Sequence, residues 1–271
     1  MVNTYWHKQS PDKPLFAELM WSRPENKRHA GKLLIIGGNS HGFSTAAETY
    51  RESLKSGIGT VRVLLPDALQ KIVSKIFIEA EFAPSTPSGS FSQRSVAEVL
   101  SLADWADSIL LASDIGHNSE TAIMIETIVR KYHGQLTLFG DSIDYLKQSS
   151  SNLFERASTT FCPTFQQLQQ LVVSSHAVQP ITSGMDLLHF VDALHELTEH
   201  SSANFIIDHL ENICATSGGQ VCTTRINQRP TTSSLAARAS VWLTQNPTKP
   251  FEALACSAYQ LVESMSSETT I

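Results

Sequence analysis

Polar side chains and glycines follow two apolar runs, where the carboxyl ends of parallel strands would present them to a ligand. Gly37-Gly38-Asn39 follows the branched apolar run 32–36, and Asp141 follows a second such run. The glycines would let a ligand approach the backbone, while Asn39 and Asp141 would hold a sugar or substrate hydroxyl. Ligands of open α/β sheets bind at such strand ends, so these residues predict a small-molecule site.

Each candidate also has a plain structural alternative. Gly37-Gly38 lacks the third glycine of a dinucleotide-binding fingerprint and no Gly-Lys-Ser/Thr follows it, so the pair can equally form a tight turn. Asp141 can equally be a helix cap or turn residue. The hydroxyl run Thr231 to Ser234 could donate to an anion, although capping of the following helix is the commoner role of such residues. These alternatives stay open at the level of sequence.

A helix predicted over Asp186 to Glu199 carries residue types that ligate metals. They are His189, Asp192, His195, Glu196, Glu199 and His200. These residues flank an apolar stripe, and no second cluster at ligand spacing completes a site, so we interpret them as a solvated helix face and expect no tightly bound metal. No Gly-x-Ser-x-Gly elbow accompanies any histidine, which argues against a hydrolase triad.

Alternating strands and helices are predicted to position the candidate residues. The predicted strands are 32–36, 60–65, 108–112, 135–139, 159–162 and 204–207, followed by a hairpin of 213–215 and 220–225. The predicted helices are 44–55, 67–77, 95–106, 121–132, 163–173, 186–199, 233–243 and 251–262. Such alternation indicates an α/β fold in which helices cover both faces of a mostly parallel sheet.

Length and composition indicate one globular domain of 271 residues. We expect an N-terminal arm over 1–28, a domain over 29–262 and a flexible tail over 263–271. The formal charge of −6 argues against nucleic-acid binding, and no apolar run is long enough to span a membrane. The amino terminus lacks a signal-peptide core, and four scattered cysteines are typical of reduced thiols, so a cytoplasmic location is expected.

The opening β-α-β unit carries a family resemblance. Gly37-Gly38-Asn39 stands where the family has Gly-Gly-Ser, and Leu54 to Gly59 stands where it has Ala-Leu-Arg-x-Gly-x-Gly. On these motifs and on the order of elements from about Ala30 to Val262, the chain resembles the ADP/ATP-dependent NAD(P)H-hydrate dehydratases, a carbohydrate kinase-related family of nicotinamide nucleotide repair enzymes. The resemblance implies a ribokinase-like three-layer αβα sandwich.

The resemblance also implies site residues and ligands. Substrate-binding positions would be Gly38, Asn39, Gly116 and Asp141, and Thr231 would contact a nucleotide. The ligands implied are a nicotinamide nucleotide and an adenine nucleotide, ATP or ADP, with Mg²⁺ accompanying the latter. The family reaction phosphorylates the substrate hydroxyl and then eliminates phosphate. Members of the family often form homo-oligomers, so self-association is expected here.

The sequence departs from the family where its chemistry takes place. The family's Gly-Thr-Gly-Asp, an anion hole followed by a base, is replaced by Pro230-Thr231-Thr232-Ser233, and a lysine usual near the end of a late strand is replaced by Asp208. Proline lacks an amide N–H and serine is no carboxylate. We therefore predict no catalytic residue. Three hypotheses remain: a diverged lyase of this family, a non-catalytic nucleotide-binding or interaction protein (a pseudoenzyme), and a small-molecule kinase of the same fold.

Overall fold

The computed structural model describes residues 4–10, 12–147, 150–174 and 180–268. Ten strands form its sheet: β1 (Trp6–Gln9), β2 (Lys32–Ile36), β3 (Thr60–Pro66), β4 (Ala80–Ala83), β5 (Ser108–Leu111), β6 (Gln135–Phe139), β7 (Thr159–Cys162), β8 (Asn204–His209), β9 (Asn212–Ser217) and β10 (Gln220–Arg225). Their order across the sheet is β1-β10-β9-β8-β7-β6-β5-β2-β3-β4. Every neighbouring pair is parallel except those that involve β9. The mostly parallel sheet predicted from the sequence is therefore confirmed.

Helices cover both faces of this sheet. They are α1 (Ala17–Trp21), α2 (Ser44–Lys55), α3 (Gln70–Val73), α4 (Val96–Trp105), α5 (Ser119–Lys131), α6 (Asp141–Leu146), α7 (Ser150–Glu155), α8 (Phe165–Ser174), α9 (Leu187–Glu199), α10 (Thr232–Gln245) and α11 (Pro250–Glu268). No described helix combines the length and apolar character that a membrane span requires.

The pleat of the strands divides the core into two layers. In β2, Leu34 and Ile36 pack into one cluster together with residues of α4, α5, α6 and α9. Leu33 and Ile35 point the other way and pack into a second cluster with residues of α2, α10 and α11. All four side chains are fully buried. A strand covered on both faces must be apolar throughout, which explains why β2 is a continuous run of branched residues.

Both edges of the sheet differ from the prediction. β1 lies in the segment predicted to be an arm, and it pairs in parallel with β10. β4 lies where no strand was predicted, and the helix predicted over 67–77 is reduced to a short 3-10 turn and α3. Edge strands have one side without a neighbouring strand and carry more polar residues, so they lack the apolar signal of the central strands.

The carboxyl-terminal helix is longer than predicted. It was expected to end at Val262, with a frayed tail from 263, but α11 continues to Glu268. The additional turns are Ser-rich, and hydroxyls bond back to carbonyls one turn earlier, as Ser266 Oγ does to Val262 O at 3.0 Å. Residues 269–271 lie outside the described residues, so the predicted flexibility of the tail stays a prediction there.

Candidate functional site

The carboxyl ends of β2, β5 and β6 lie side by side, and the N-terminal halves of α2 and α10 are near them. Two sets of contacts lie there, and we call their residues the carboxyl-edge cluster. Asn39 and Asp141 both contact the backbone of Asp114, and Glu48 of α2 contacts Thr231 of α10. Asn39 and Asp141 were both predicted as substrate-binding residues. In the structure both lie beside Asp114, at the edge where α/β proteins bind ligands.

The Gly37-Gly38 pair has a steric explanation in the turn after β2. A Cβ on Gly37 would lie 2.8 Å from the Cβ of Ala112, closer than two carbon atoms can approach without a shift. Gly38 has a φ of +85°, a left-handed conformation that favours glycine. The pair therefore forms the tight turn that the sequence left as one alternative. Contact with a ligand is the other role proposed for Gly38.

Asn39 orders the loop that follows this turn. Its side-chain Nδ2 donates to the backbone oxygen of Asp114 at 2.7 Å, and its Oδ1 accepts from the amide of His41 at 2.7 Å. Asn39 therefore ties the end of β2 to the end of β5. Gly116 lies beside it, because a Cβ on Gly116 would be 3.6 Å from the Cβ of Asn39.

Asp114 connects the loop after β5 to α2. Its backbone is left-handed, with a φ of 63°, and its Oδ2 accepts a hydrogen bond from Thr45 Oγ1. By residue type, Ser44 or Thr45 would be expected to cap α2. Neither does, because both residues lie inside the helix and Phe43 occupies the N-cap position without a side-chain cap bond. The Thr45 hydroxyl is used by Asp114 instead.

Asp141 is the first residue of α6, directly after its N-cap Gly140. The pKa of its half-buried carboxyl is raised, first by burial. The charge of His117 lowers this pKa and that of Asp114 raises it, while the backbone amide of Asp114 donates to the carboxyl and lowers it. A carboxyl in this setting is stabilised by an added hydrogen-bond donor, such as a ligand hydroxyl.

Thr231 caps α10, as the hydroxyl run predicted. Its Oγ1 accepts from the amide of Ser234 at 3.2 Å and from the hydroxyl of Ser233 at 3.0 Å. The same oxygen donates to Glu48 Oε1 at 2.8 Å. Sequence reasoning missed Glu48. The sequence did contain a signal for it, because the spacing of α2 places three polar residues on one helix face: Thr45, Glu48 and Glu52.

A cavity of about 300 Å³ lies beside Thr231, and we call it the α10 cavity. Arg238 lines it and is only 4% exposed. Its Nη2 pairs with Glu52 Oε2 at 3.0 Å, while its buried Nε has no hydrogen-bond partner. Arg229 also lines the cavity and lies 3.9 Å from Asp208 Oδ2, so the position where the family has a lysine is occupied by an acid paired with an exposed arginine.

The acids and histidines of α9 take part in separate contacts. His195 stacks on the ring of Tyr5, with ring centroids 3.7 Å apart, and Asp192 Oδ1 accepts from the Tyr5 hydroxyl at 2.6 Å. His189 bonds to Asp186, the N-cap of the helix. Within the described ranges, no group of three histidine, cysteine or acidic residues is placed to hold a metal ion.

Solved structures resemble this chain along most of its length. A ribokinase-like superfamily protein of Enterococcus faecalis V583 superposes with a TM-score of 0.70 over 99% of this chain and 91% of its own, at 17% sequence identity. The chain has the ribokinase-like fold. The ADP/ATP-dependent NAD(P)H-hydrate dehydratase of Bacillus subtilis, co-crystallised with ATP and Mg²⁺, shares this ribokinase-like fold with a TM-score of 0.66 at 11% identity, covering 95% of this chain and 90% of that one.

A small-molecule kinase shares the fold as well. The phosphomethylpyrimidine kinase of Clostridium difficile 630 superposes with a TM-score of 0.54 at 10% identity, covering 86% of this chain and 99% of that one. No protein-family model and no curated protein sequence matches the chain significantly. The structural likenesses therefore establish the ribokinase-like fold, and function must be argued from the site.

Proposed function

We propose that this chain is a diverged member of the ADP/ATP-dependent NAD(P)H-hydrate dehydratase family and acts on nicotinamide nucleotides. The observation that carries the proposal is the carboxyl-edge cluster: Asn39 and Asp141 contact Asp114, Asp114 contacts Thr45 of α2, and Glu48 of the same helix contacts Thr231 of α10. The Bacillus subtilis dehydratase with the same fold, co-crystallised with ATP and Mg²⁺, supports the choice of ligands.

The nicotinamide nucleotide binds beside Gly38, Asn39, Gly116 and Asp141. Gly38 and Gly116 have φ angles of +85° and +75°, and neither carries a side chain that would hold a ligand away from the backbone. The Asp141 carboxyl is half-buried and has a raised pKa, so a ribose or hydrate hydroxyl would supply a donor that it lacks.

The adenine nucleotide, ATP or ADP, binds in the α10 cavity beside Thr231. Its volume of about 300 Å³ is at the lower end of the range for ligand pockets. The N-terminus of α10 and the unpartnered Nε–H of Arg238 would favour phosphate. Glu48 and Glu52, both on α2, are negative, so the phosphates need Mg²⁺ as a counter-ion, and carboxylate oxygens are ligands that Mg²⁺ accepts.

Glu48 supplies the carboxylate that Ser233 does not. Ser233 is buried and donates its hydroxyl to Thr231, so it cannot take a proton from a substrate. Glu48 holds a carboxylate oxygen 2.8 Å from Thr231 Oγ1, at the helix end where the family places its base. Within the family reaction, Glu48 accepts the proton of the substrate hydroxyl as that hydroxyl is phosphorylated.

A non-catalytic nucleotide-binding protein is the second candidate. It is favoured by the same network, because Thr231 donates its hydroxyl proton to Glu48 and Ser233 donates to Thr231. A carboxylate engaged in this way stabilises the start of α10 without any substrate. In that case nucleotides would still bind, and the hydrate would not be converted.

Thermal denaturation and turnover separate the two candidates. We expect NADPH, NADH hydrate, ATP and ADP to stabilise the wild type, and NADH to be released from its hydrate when ATP or ADP is present. Glu48→Gln should abolish release while nucleotides still stabilise it, and Glu98→Gln, an exposed acid on α4, should change neither. Stabilisation without turnover would select the non-catalytic candidate. Absence of stabilisation by every nucleotide would refute both.

We extend the proposal to cytoplasmic location and self-association. All four cysteines are free and buried, as expected for a reducing compartment. The edge beside β4 supports a homo-oligomer, because Ile72, Ile76 and Ile78 are 66%, 70% and 90% exposed. Lysines at 71 and 75 and acids at 79 and 81 surround them, so two copies of this edge, related by a two-fold axis, have complementary charges.

A further inference from the structure

A second cavity lies at the opposite edge of the sheet, near the amino ends of β6 and β7. Its volume is about 370 Å³, and we call it the amino-edge cavity. The residues that line it include Glu126, Val129, Arg130, His133, Leu153 and Arg156. A five-residue strand separates it from the carboxyl-edge cluster, a distance of about 17 Å. The two sites therefore take different ligands.

Arg156 is fixed at the base of this cavity by neutral oxygens. Its Nη2 donates to the carbonyls of Tyr132 and Gly134 at 2.6 and 2.8 Å, and its Nη1 donates to Thr159 Oγ1 at 2.8 Å and to the carbonyls of 157–158. Its Nε is buried without a hydrogen-bond partner. Burial lowers the pKa of this guanidinium. A positive charge that is partly removed from water and has no carboxylate partner gains from binding an anion.

The rim of the cavity adds positive charge. Arg130 is exposed and makes no ion pair with another described residue, and His133 follows it one turn later. Glu126 is the acid on this rim, so two guanidinium groups face one carboxylate. Val129 and Leu153 supply an apolar wall, and Leu153 is only 2% exposed. The surface is therefore cationic at one end and apolar at the other.

We propose that the amino-edge cavity binds a small organic anion, whose carboxylate or phosphate group contacts Arg156 and Arg130 and whose apolar body packs on Val129 and Leu153. The proposal is independent of the nucleotide sites at the other edge. The exposed guanidinium of Arg130 favours planar or tetrahedral oxyanions over halide ions, because it can donate two hydrogen bonds in parallel. Arg156 adds its positive charge and its one uncommitted donor, Nε. The volume is near the lower end of the range for ligand pockets, so it suits a small molecule rather than a dinucleotide.

Calorimetric titration with phenyl phosphate and benzoate tests the proposal, with inorganic phosphate and benzyl alcohol as half-ligands. We expect phenyl phosphate, benzoate or both to bind saturably. Each half-ligand should bind about tenfold more weakly, or not measurably, because inorganic phosphate lacks the apolar contact and benzyl alcohol lacks the charged one. The two oxyanion arms identify which group the site prefers. Inorganic phosphate that binds as tightly as phenyl phosphate would refute the apolar contact. Absence of saturable binding by both phenyl phosphate and benzoate would refute the site.

Variants at the exposed Arg130 and the partly buried Val129 locate the binding. Arg130→Gln should weaken it about tenfold, and Val129→Phe should block it by filling the cavity. Arg94→Gln, an exposed cation elsewhere, and Asp141→Asn, in the carboxyl-edge cluster, should leave it unchanged. Arg156 is avoided as a first variant because its hydrogen bonds hold two loops. Equal weakening by Arg94→Gln and Arg130→Gln would show non-specific charge attraction and refute the assignment.

Discussion

Thr231 Oγ1 at the start of α10 donates a 2.8 Å hydrogen bond to Glu48 Oε1 on α2. These residues are 183 positions apart in the chain, and one hydroxyl joins them while also capping α10. The Glu48 carboxylate thus lies near the positive end of a 14-residue helix, where a negative charge is stabilised. Capping and the holding of Glu48 are separable, because they use the hydroxyl as acceptor and as donor.

The first prediction separates these two roles. Thr231→Val keeps the shape of the side chain but removes the cap, and we expect a loss of about 1 kcal/mol in the free energy of unfolding. Thr231→Ser should retain most of the wild-type stability, because serine also caps helices. Glu48→Gln should retain the cap bond between Thr231 and the amide of Ser234. Urea denaturation of the three variants measures the difference. A Thr231→Val protein as stable as the wild type would contradict the capping role.

The second prediction concerns pH. The pKa of Asp141 is raised above its ordinary 3.8, chiefly by burial, so the folded state binds this proton more tightly than the unfolded chain does. Stability from this group therefore falls as pH rises through the interval between the two pKa values, and the loss is complete above the folded-state pKa. Asp141→Asn removes this pH-dependent loss of stability, because asparagine does not ionise. The melting temperature of the variant should therefore exceed that of the wild type near pH 7, and the difference should shrink toward pH ~3.8.

Asp144→Asn is the matched control for that experiment. Asp144 lies on the same helix, and its carboxylate pairs with Lys147 at 2.5 Å and accepts from Gln167 at 3.0 Å. Loss of that charge should lower or preserve the melting temperature near neutral pH. If Asp144→Asn and Asp141→Asn raised the melting temperature equally, the cause would be the reduction in net negative charge and not the burial of Asp141.

Central strands could be predicted from the sequence because both of their faces are buried. β2, β6 and β7 lie at the residues predicted for them. A strand between two helix layers is rich in apolar and β-branched residues, and in β6 and β7 these include the buried threonines 137, 159 and 160. β1 and β4 were missed because an edge strand is held largely by pairing with a distant neighbour. The pairing of Trp6 with Val221 has no local signal.

The same distinction applies to the site. Asn39, Asp141 and Thr231 follow strands or precede a helix, so their positions could be inferred from nearby residues. The contact of Glu48 with Thr231 depends on how α2 packs against α10. The contact of Asp114 with Thr45 depends on the conformation of the loop after β5. Contacts of this kind depend on tertiary packing. The sequence could not place a carboxylate at α10, although it showed that Ser233 was not one.

The third prediction tests self-association through the β4 edge. We expect the wild type to be a dimer or higher oligomer by light scattering, and Ile78→Glu to shift it toward monomer, because a charge would be placed in an apolar contact. Ile78 is 90% exposed in the single chain, so the substitution should leave the fold intact. Leu188→Glu, on α9 at a distance from this edge, is the control. A monomeric wild type would refute the interface.

The fourth prediction concerns the ion pair between Arg238 and Glu52. The side chains are 5% and 12% exposed, and 3.0 Å separates Arg238 Nη2 from Glu52 Oε2. Lys55 Nζ lies 3.0 Å from Glu52 Oε1, so Glu52 offsets positive charge from more than one residue. Removal of one partner from a buried pair costs about 3–5 kcal/mol, because the other charge is left without compensation.

A double-mutant cycle measures this coupling. Glu52→Leu should lower the free energy of unfolding by about 3–5 kcal/mol, and addition of Arg238→Met should restore much of it, because the uncompensated charge is removed. Glu81→Gln, which breaks the exposed pair with Arg62, should cost below about 1 kcal/mol. The double variant should also lose stabilisation by ATP, since Arg238 lines the α10 cavity. A double variant no more stable than Glu52→Leu would show that Arg238 is compensated by other groups.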